Sequence, residues 1–165
     1  MKEVEVAIEV CRADVVVPKY QNLWDAGMDV CAAEEVQIGA GETVLIPTGL
    51  KFAIPEGYEI QVRPRSGVSL RTPLRISNSP GTIDSGYRNE LGILITNTSD
   101  LCSCTSTECF TLNSKDNKVG TYQIFKGDRI AQLVLQEVPR MKFRVVQSVA
   151  GIGQNRGGGF GSTGV

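Results

Sequence analysis

Thr43-Val-Leu-Ile-Pro-Thr-Gly-Leu-Lys-Phe-Ala-Ile-Pro-Glu-Gly-Tyr-Glu-Ile-Gln-Val62 decides the fold class. Three short β-rich runs, 43–47, 50–54 and 58–62, are separated by turn chemistry, most plainly at Pro55-Glu-Gly57. Runs this short, punctuated by Gly and Pro, read as strands. The pattern extends outward in both directions. Val4, Val6, Ile8 and Val10 alternate with Glu3, Glu5, Ala7 and Glu9, which is the period of a half-buried strand. Further strands are predicted at 15–17, 36–38, 74–77, 81–83, 91–96, 119–125, 130–138 and 143–146. Nowhere does an apolar period of 3.6 residues persist for three turns, and one helical turn at 66–70 is the most that is expected. An all-β domain of the sandwich, jelly-roll or barrel type follows.

The 165 residues suit one hydrophobic core. Residues 1–150 are expected to form a single β domain. Within it, the polar, irregular stretch 98–118 reads as a surface excursion between strands. Residues 151–165, mostly Gly, Ser, Thr and Asn, read as a mobile C-terminal tail. A net charge of -1 provides no global field for nucleic acid or an anionic membrane, so any anion site must be local. The apolar runs are strand-sized and Met1-Lys-Glu-Val-Glu5 is not a signal peptide, so a cytoplasmic protein without membrane or nucleic-acid partners is expected.

The chain has no histidine, which removes Ser-His-Asp and Cys-His catalysis and leaves acid-base work to Asp, Glu, Lys or Tyr. Of five cysteines, Cys11 and Cys31 lie in apolar strand-like runs and read as buried free thiols. Cys102, Cys104 and Cys109 cluster in the polar stretch, but their spacing is not that of a zinc site.

Several stretches carry groups suited to a phosphorylated ligand. In Arg65-Ser66-Gly67 a planar guanidinium precedes a hydroxyl and a glycine that lets amides converge. A solvated strand end is the plainer reading of that tripeptide. Asp84, in Gly81-Thr-Ile-Asp-Ser-Gly-Tyr87, is a lone carboxylate beside an aromatic ring; it also fits an ordinary hairpin turn. Asp25-Ala-Gly-Met-Asp29 offers two carboxylates that could hold a hydrated Mg²⁺, or simply a polar turn. Gln132 is a polar residue inside an apolar run. In the tail, Arg156, Phe160, Ser162 and Thr163 lie among glycines, as a segment that closes over a ligand would need, or as a plain flexible terminus.

In this order the stretches resemble the five motifs of the trimeric dUTPase family: Asp25 to Asp29, Pro64 to Val68, Gly81 to Tyr87, Gly127 to Leu133 and Arg156 to Gly164. The resemblance covers the chain except 98–118. It implies a jelly-roll-like fold of the β-clip type, a homotrimer, and Mg²⁺-dependent hydrolysis of dUTP to dUMP and pyrophosphate, which keeps uracil out of DNA. It implies that Asp84 activates the attacking water and that Gln132 contacts phosphate or water. Arg65, Ser66 and Gly67 would hold phosphates bound by a neighbouring subunit. Asn78, Thr82, Ile83 and Gly92 would line the uracil pocket, and Tyr87 would pack under the deoxyribose. Phe160 would stack on uracil, Arg156, Ser162 and Thr163 would close on the γ-phosphate, and Asp29 would bind Mg²⁺ through water.

The sequence departs from the family at Met28, usually aromatic, and in an Arg156–Phe160 spacing one residue short. The 98–118 stretch is also longer than usual, as in some phage-type members, which motivates a protein partner there and a nucleotide-switched regulatory role as an alternative. A dCTP deaminase, with a similar hairpin, needs Glu ten residues after the hairpin Asp; Leu94 stands there, and Glu90 is at the wrong offset.

Overall fold

The computed structural model describes residues 2–100, 108–114, 116–155 and 157–158. The order is β1 (Ala7–Val10), β2 (Met28–Cys31), β3 (Val36–Ile38), β4 (Thr43–Pro47), β5 (Leu50–Ala53), β6 (Tyr58–Arg63) and α1 (Ser66–Arg71). There follow β7 (Leu74–Ile76), β8 (Gly81–Ile83), β9 (Gly92–Asn97), β10 (Cys109–Thr111), β11 (Thr121–Ile124) and β12 (Arg129–Glu137). The fold is all-β and jelly-roll-like, built from four small sheets: β1-β5, β10-β11-β3, β2-β12-β6-β8 and β4-β9-β7.

Alternation explains which face of each strand is covered. In β6, Ile60 and Val62 enter the core while Glu59, Gln61 and Arg63 lie on the other face. In β9, Ile93, Ile95 and Asn97 point inward. Ile38, Ile46, Leu50, Ile124 and Leu133 close the same core. Asn97 is a fully buried polar residue within it. Its Nδ2 donates to the carbonyls of Ile38 (3.0 Å) and Gly120 (2.7 Å), and its Oδ1 accepts from the Ser99 amide at 3.1 Å. A buried amide is tolerated because each of its groups has a partner.

Four expectations need correction. Residues 15–17 and 143–146 are not strands; apolar β-formers become a strand only where a neighbouring chain offers hydrogen bonds, and here none does among the described residues. Met28–Cys31, in part read as a polar turn, is β2, because β12 supplies its partner. Cys109–Thr111 inside the irregular stretch is β10, pairing parallel with β11, with Phe110 and Tyr122 ring centroids 5.7 Å apart. Cys11 and Cys31 are half-buried rather than buried, since β1 has only β5 beside it and β2 lies at a sheet edge. No helix among the described residues is long and apolar enough to cross a membrane.

Candidate active site

The sheet β2-β12-β6-β8 gathers groups from four separate stretches. On one rung Asp29 of β2 faces Gln132 of β12, and Gln132 faces Arg63 of β6. A register shift in β12 between Arg129 and Ala131 lies next to this rung. Arg65 leaves the end of β6 and folds back across the sheet. Its Nε donates to Asp29 Oδ1 at 2.7 Å, and its Nη1 donates to the Arg129 carbonyl at 3.1 Å. Arg129 Nη1 meets the other Asp29 oxygen at 3.3 Å. One carboxylate therefore holds two guanidiniums.

Gln132 is fixed just as firmly. Its Nε2 donates to the Pro64 carbonyl at 2.9 Å, which braces the start of the Arg65-Ser66-Gly67 turn. Gly27 leaves the room this requires: a Cβ there would lie 2.7 Å from Gln132 Oε1. Ser66 opens α1 and is exposed, and Gly67 is half-buried.

The second group sits on the hairpin after β8. Gly81 pairs with Val62, and a Cβ on Gly81 would come 3.2 Å from Val62 Cβ and 3.4 Å from Asn78 Nδ2, so Asn78 lies over that glycine. Thr82 and Ile83 continue the pairing with Gln61 and Ile60. Asp84 then begins a turn closed by the Tyr87 amide donating to the Asp84 carbonyl at 3.0 Å. The Asp84 side chain is exposed, with no hydrogen bond or ion pair among the described residues. Tyr87 Oη donates to the Glu90 carbonyl at 2.9 Å. Gly92 passes so close to β4 that a Cβ would lie 2.5 Å from Leu45 Cδ1.

Glu90 anchors this hairpin to the body of the domain. Its carboxylate accepts from the Gly49 amide at 2.8 Å and meets Arg12 at 2.7 Å and 3.0 Å through both oxygens. Burial works against its ionisation, but Arg12 and the Gly49 amide outweigh it and hold the carboxyl below its ordinary range.

Antiparallel pairing sets the distance between the two groups. Ile83 faces Ile60 and Gly81 faces Val62, so Asp84 follows at the Glu59 end of β6 while Arg65 extends past the other end. At the rise of an extended chain the interval is roughly 20 Å. Asp29, Gln132 and the Arg65 turn are thus brought together, whereas Asn78, Asp84 and Tyr87 form a separate cluster on the same sheet. Arg156, Phe160, Ser162 and Thr163 lie outside the described residues, as do Cys102 and Cys104.

A divalent cation finds no ready cage. Among the described residues no three Asp, Glu or Cys side chains gather for one. Asp29 gives one oxygen to each arginine, yet a carboxylate accepts about four hydrogen bonds. It retains lone pairs that can accept from a water. Sequence reasoning did not single out Arg129, Arg12 or Glu90 as contributors; their partners are distant in the chain, and only Arg129, inside Gly127-Asp-Arg-Ile, carried a local signal.

Comparison with known proteins bears on the same residues. The dUTPase family model matches residues 13–164. The chain is 39% identical over 151 residues to the deoxyuridine 5'-triphosphate nucleotidohydrolase of a Picosynechococcus species, covering 92% of each. Among solved structures it is similar to a mutant dUTPase of Staphylococcus bacteriophage 80alpha with dUpNHpp, with TM-score 0.87 and 32% identity over 98% of this chain and 99% of that one. Phage dUTPases, the 80alpha protein among them, are described as controlling transfer of virulence genes by a G protein-like mechanism. A mutant dUTPase of phage phi11, with TM-score 0.79 and 32% identity over 88% and 98% of the two chains, is described as coordinating a structural Mg(II) ion. A match that runs through both clusters of the β2-β12-β6-β8 sheet leaves one assignment: the chain belongs to the dUTPase family.

Proposed function

We propose that this protein hydrolyses dUTP to dUMP and pyrophosphate, as a homotrimer and with Mg²⁺. The observation that carries the reading is the separation of Asp84 from Arg65. One chain presents a carboxylate with no partner among the described residues, three residues before a tyrosine, at one end of β8, and a braced arginine turn beyond the far end of β6. Neither cluster alone can hold a nucleotide by its base and its phosphates, but clusters from two chains can.

In this reading Asn78 and the backbone of Thr82, Ile83 and Gly92 read uracil. Backbone donors and acceptors in a tight hairpin discriminate by shape and by the cost of an unpaired polar group. Tyr87, held by the Glu90 carbonyl, packs under the sugar. Asp84 accepts a proton from the water that attacks the α-phosphorus, and its freedom from other partners leaves it available. Arg65, Ser66 and Gly67 of a neighbour hold the phosphates, with Gln132 setting the turn and adding a polar contact. The tail, residues 151–165, closes over the site, Phe160 on the base and Arg156, Ser162 and Thr163 on the γ-phosphate. Bound Mg²⁺ supplies charge neutralisation on the phosphates, and Asp29 would hold one of its waters.

The trimer has further support in the arm after β12. Met141, Phe143 and Val145 are 81%, 83% and 96% exposed and alternate with Lys142 and Arg144. An apolar groove of about 240 Å³ lies elsewhere on the same chain, lined by Val4, Ile8, Val17, Tyr20, Phe52 and Leu135. An apolar alternation with no cover among the described residues suits a second copy.

The test is pyrophosphate release from dUTP, dTTP, dCTP and UTP with and without Mg²⁺. Turnover of dUTP alone, lost on chelation, is expected; equal turnover of dTTP overturns the specificity. A second reading, a regulatory role through 98–118, is favoured by the likeness to the 80alpha phage protein and by β10 extending a sheet edge. A partner pull-down unchanged by deleting residues 99–117 would sink it.

A further inference from the structure

We propose that Arg71, outside all five motifs, binds phosphate oxygens and completes a three-guanidinium cleft for a diphosphate: the distal phosphates of the nucleotide or free pyrophosphate. The inference rests on reading Arg65-Ser66-Gly67 as the phosphate turn. Between α1 and the turn after β10 lies a cleft of about 290 Å³. Arg65, Arg71 and Arg129 reach it, together with Gly67, Asn113 and Asp128.

Three observations single out Arg71. Its guanidinium occupies the space over Gly67, where a Cβ would lie 2.8 Å from Nη2, and its Nε donates to the Gly67 carbonyl at 3.3 Å. Arg65 and Arg129 are already shared by Asp29, but no carboxylate among the described residues pairs with Arg71. The other acid at the cleft, Asp128, accepts from the Phe125 amide at 2.9 Å through Oδ2. Three guanidiniums thus outnumber two carboxylates, and the one left uncompensated stands beside the phosphate turn.

Arg71 is also held in place. Its carbonyl accepts from the Asn117 amide at 3.1 Å. The next residue, Thr72, is fully buried and returns two hydrogen bonds to the Val68 carbonyl, from its amide at 3.0 Å and from Oγ1 at 2.8 Å. A planar donor group on a fixed stem suits a phosphate oxygen pair better than a mobile ammonium does. The base-reading hairpin of the same chain lies at the other end of β6, so at this cleft the chain itself offers groups for phosphate and none for the base.

Calorimetric titration of wild type, Arg71→Gln and Arg71→Lys with inorganic pyrophosphate and, separately, with dUMP tests this. Arg71→Gln is expected to weaken pyrophosphate at least about tenfold, the loss of one charge-assisted contact. Arg71→Lys should weaken it less, and dUMP affinity should hold in both. Unchanged pyrophosphate affinity in Arg71→Gln overturns the proposal, as does equal weakening of both ligands, which marks a structural role. If the wild type fails to turn over dUTP yet binds pyrophosphate through Arg71, the proposed reaction falls while the cleft stands.

Discussion

Arg65 and Asp84 stand at opposite ends of the β6–β8 pair, separated by roughly 20 Å of extended chain. The arrangement follows from antiparallel register: β6 carries the arginine turn beyond its last residue, while β8 runs back past Val62 and Ile60 to deliver the carboxylate. The two side chains do not meet within one chain, and the function proposed above draws them from different chains.

Asp84→Asn is expected to lower the rate of pyrophosphate release from dUTP by roughly 10²–10⁴-fold. Its melting temperature should stay within a degree or so of wild type, because the side chain is exposed and makes no bond among the described residues. Arg65→Ala should be similarly inactive. Mixed trimers of the two variants should regain activity that neither has alone; no recovery would rule out a site shared between chains.

Replacing Met141, Phe143 and Val145 together by Ser removes the exposed apolar alternation of the arm. Sedimentation should then show species lighter than the wild-type assembly, with the circular dichroism of the strands retained. An unchanged sedimentation coefficient would place the subunit contact elsewhere.

The Arg12–Glu90 pair makes a pH-dependent contribution. The Glu90 carboxyl titrates below its ordinary value of 4.5 in the folded chain. Its stabilisation is therefore present above that value and lost as the pH falls through the lower folded-state value. Arg12→Ala should flatten this part of the acid-unfolding curve. It should also raise KM for dUTP more than it lowers kcat, since the same residue steadies the carbonyl that receives Tyr87 Oη. Parallel acid curves for the two proteins would refute the assignment.

Asn97→Leu tests the buried polar core. It leaves the Ile38 and Gly120 carbonyls and the Ser99 amide without their side-chain partner. A loss of about 2–4 kcal/mol is expected from such unpaired groups, read as a shift in the urea midpoint. A change under about 0.5 kcal/mol would mean that water replaces the amide.

Alternation and turn residues were enough to place strands at 36–38, 43–47 and 81–83, and the helical turn at 66–71 was anticipated to within one residue. Local chemistry also marked Arg65, Asp84 and Gln132, because a guanidinium before Ser-Gly, a carboxylate in a Gly-flanked turn and an amide in an apolar run are visible without a fold. β2 was visible only as a strand-like run around Cys31, since its start at Met28–Asp29 is set by pairing with β12, a hundred residues away in the chain. β10 was not visible, since its parallel partner β11 follows a short excursion that composition reads as loop. The same limit hid Arg71 over Gly67 and Arg129 on Asp29. The amino-acid sequence by itself determined the all-β class, the order of the motifs and the family they resemble, because these depend on residue type and spacing. Only the tertiary structure decided that Asp29 holds two arginines, that Glu90 anchors the Tyr87 hairpin and that Arg65 and Asp84 lie apart. Each of those rests on strand register and hydrogen bonds between distant residues, which no local pattern encodes.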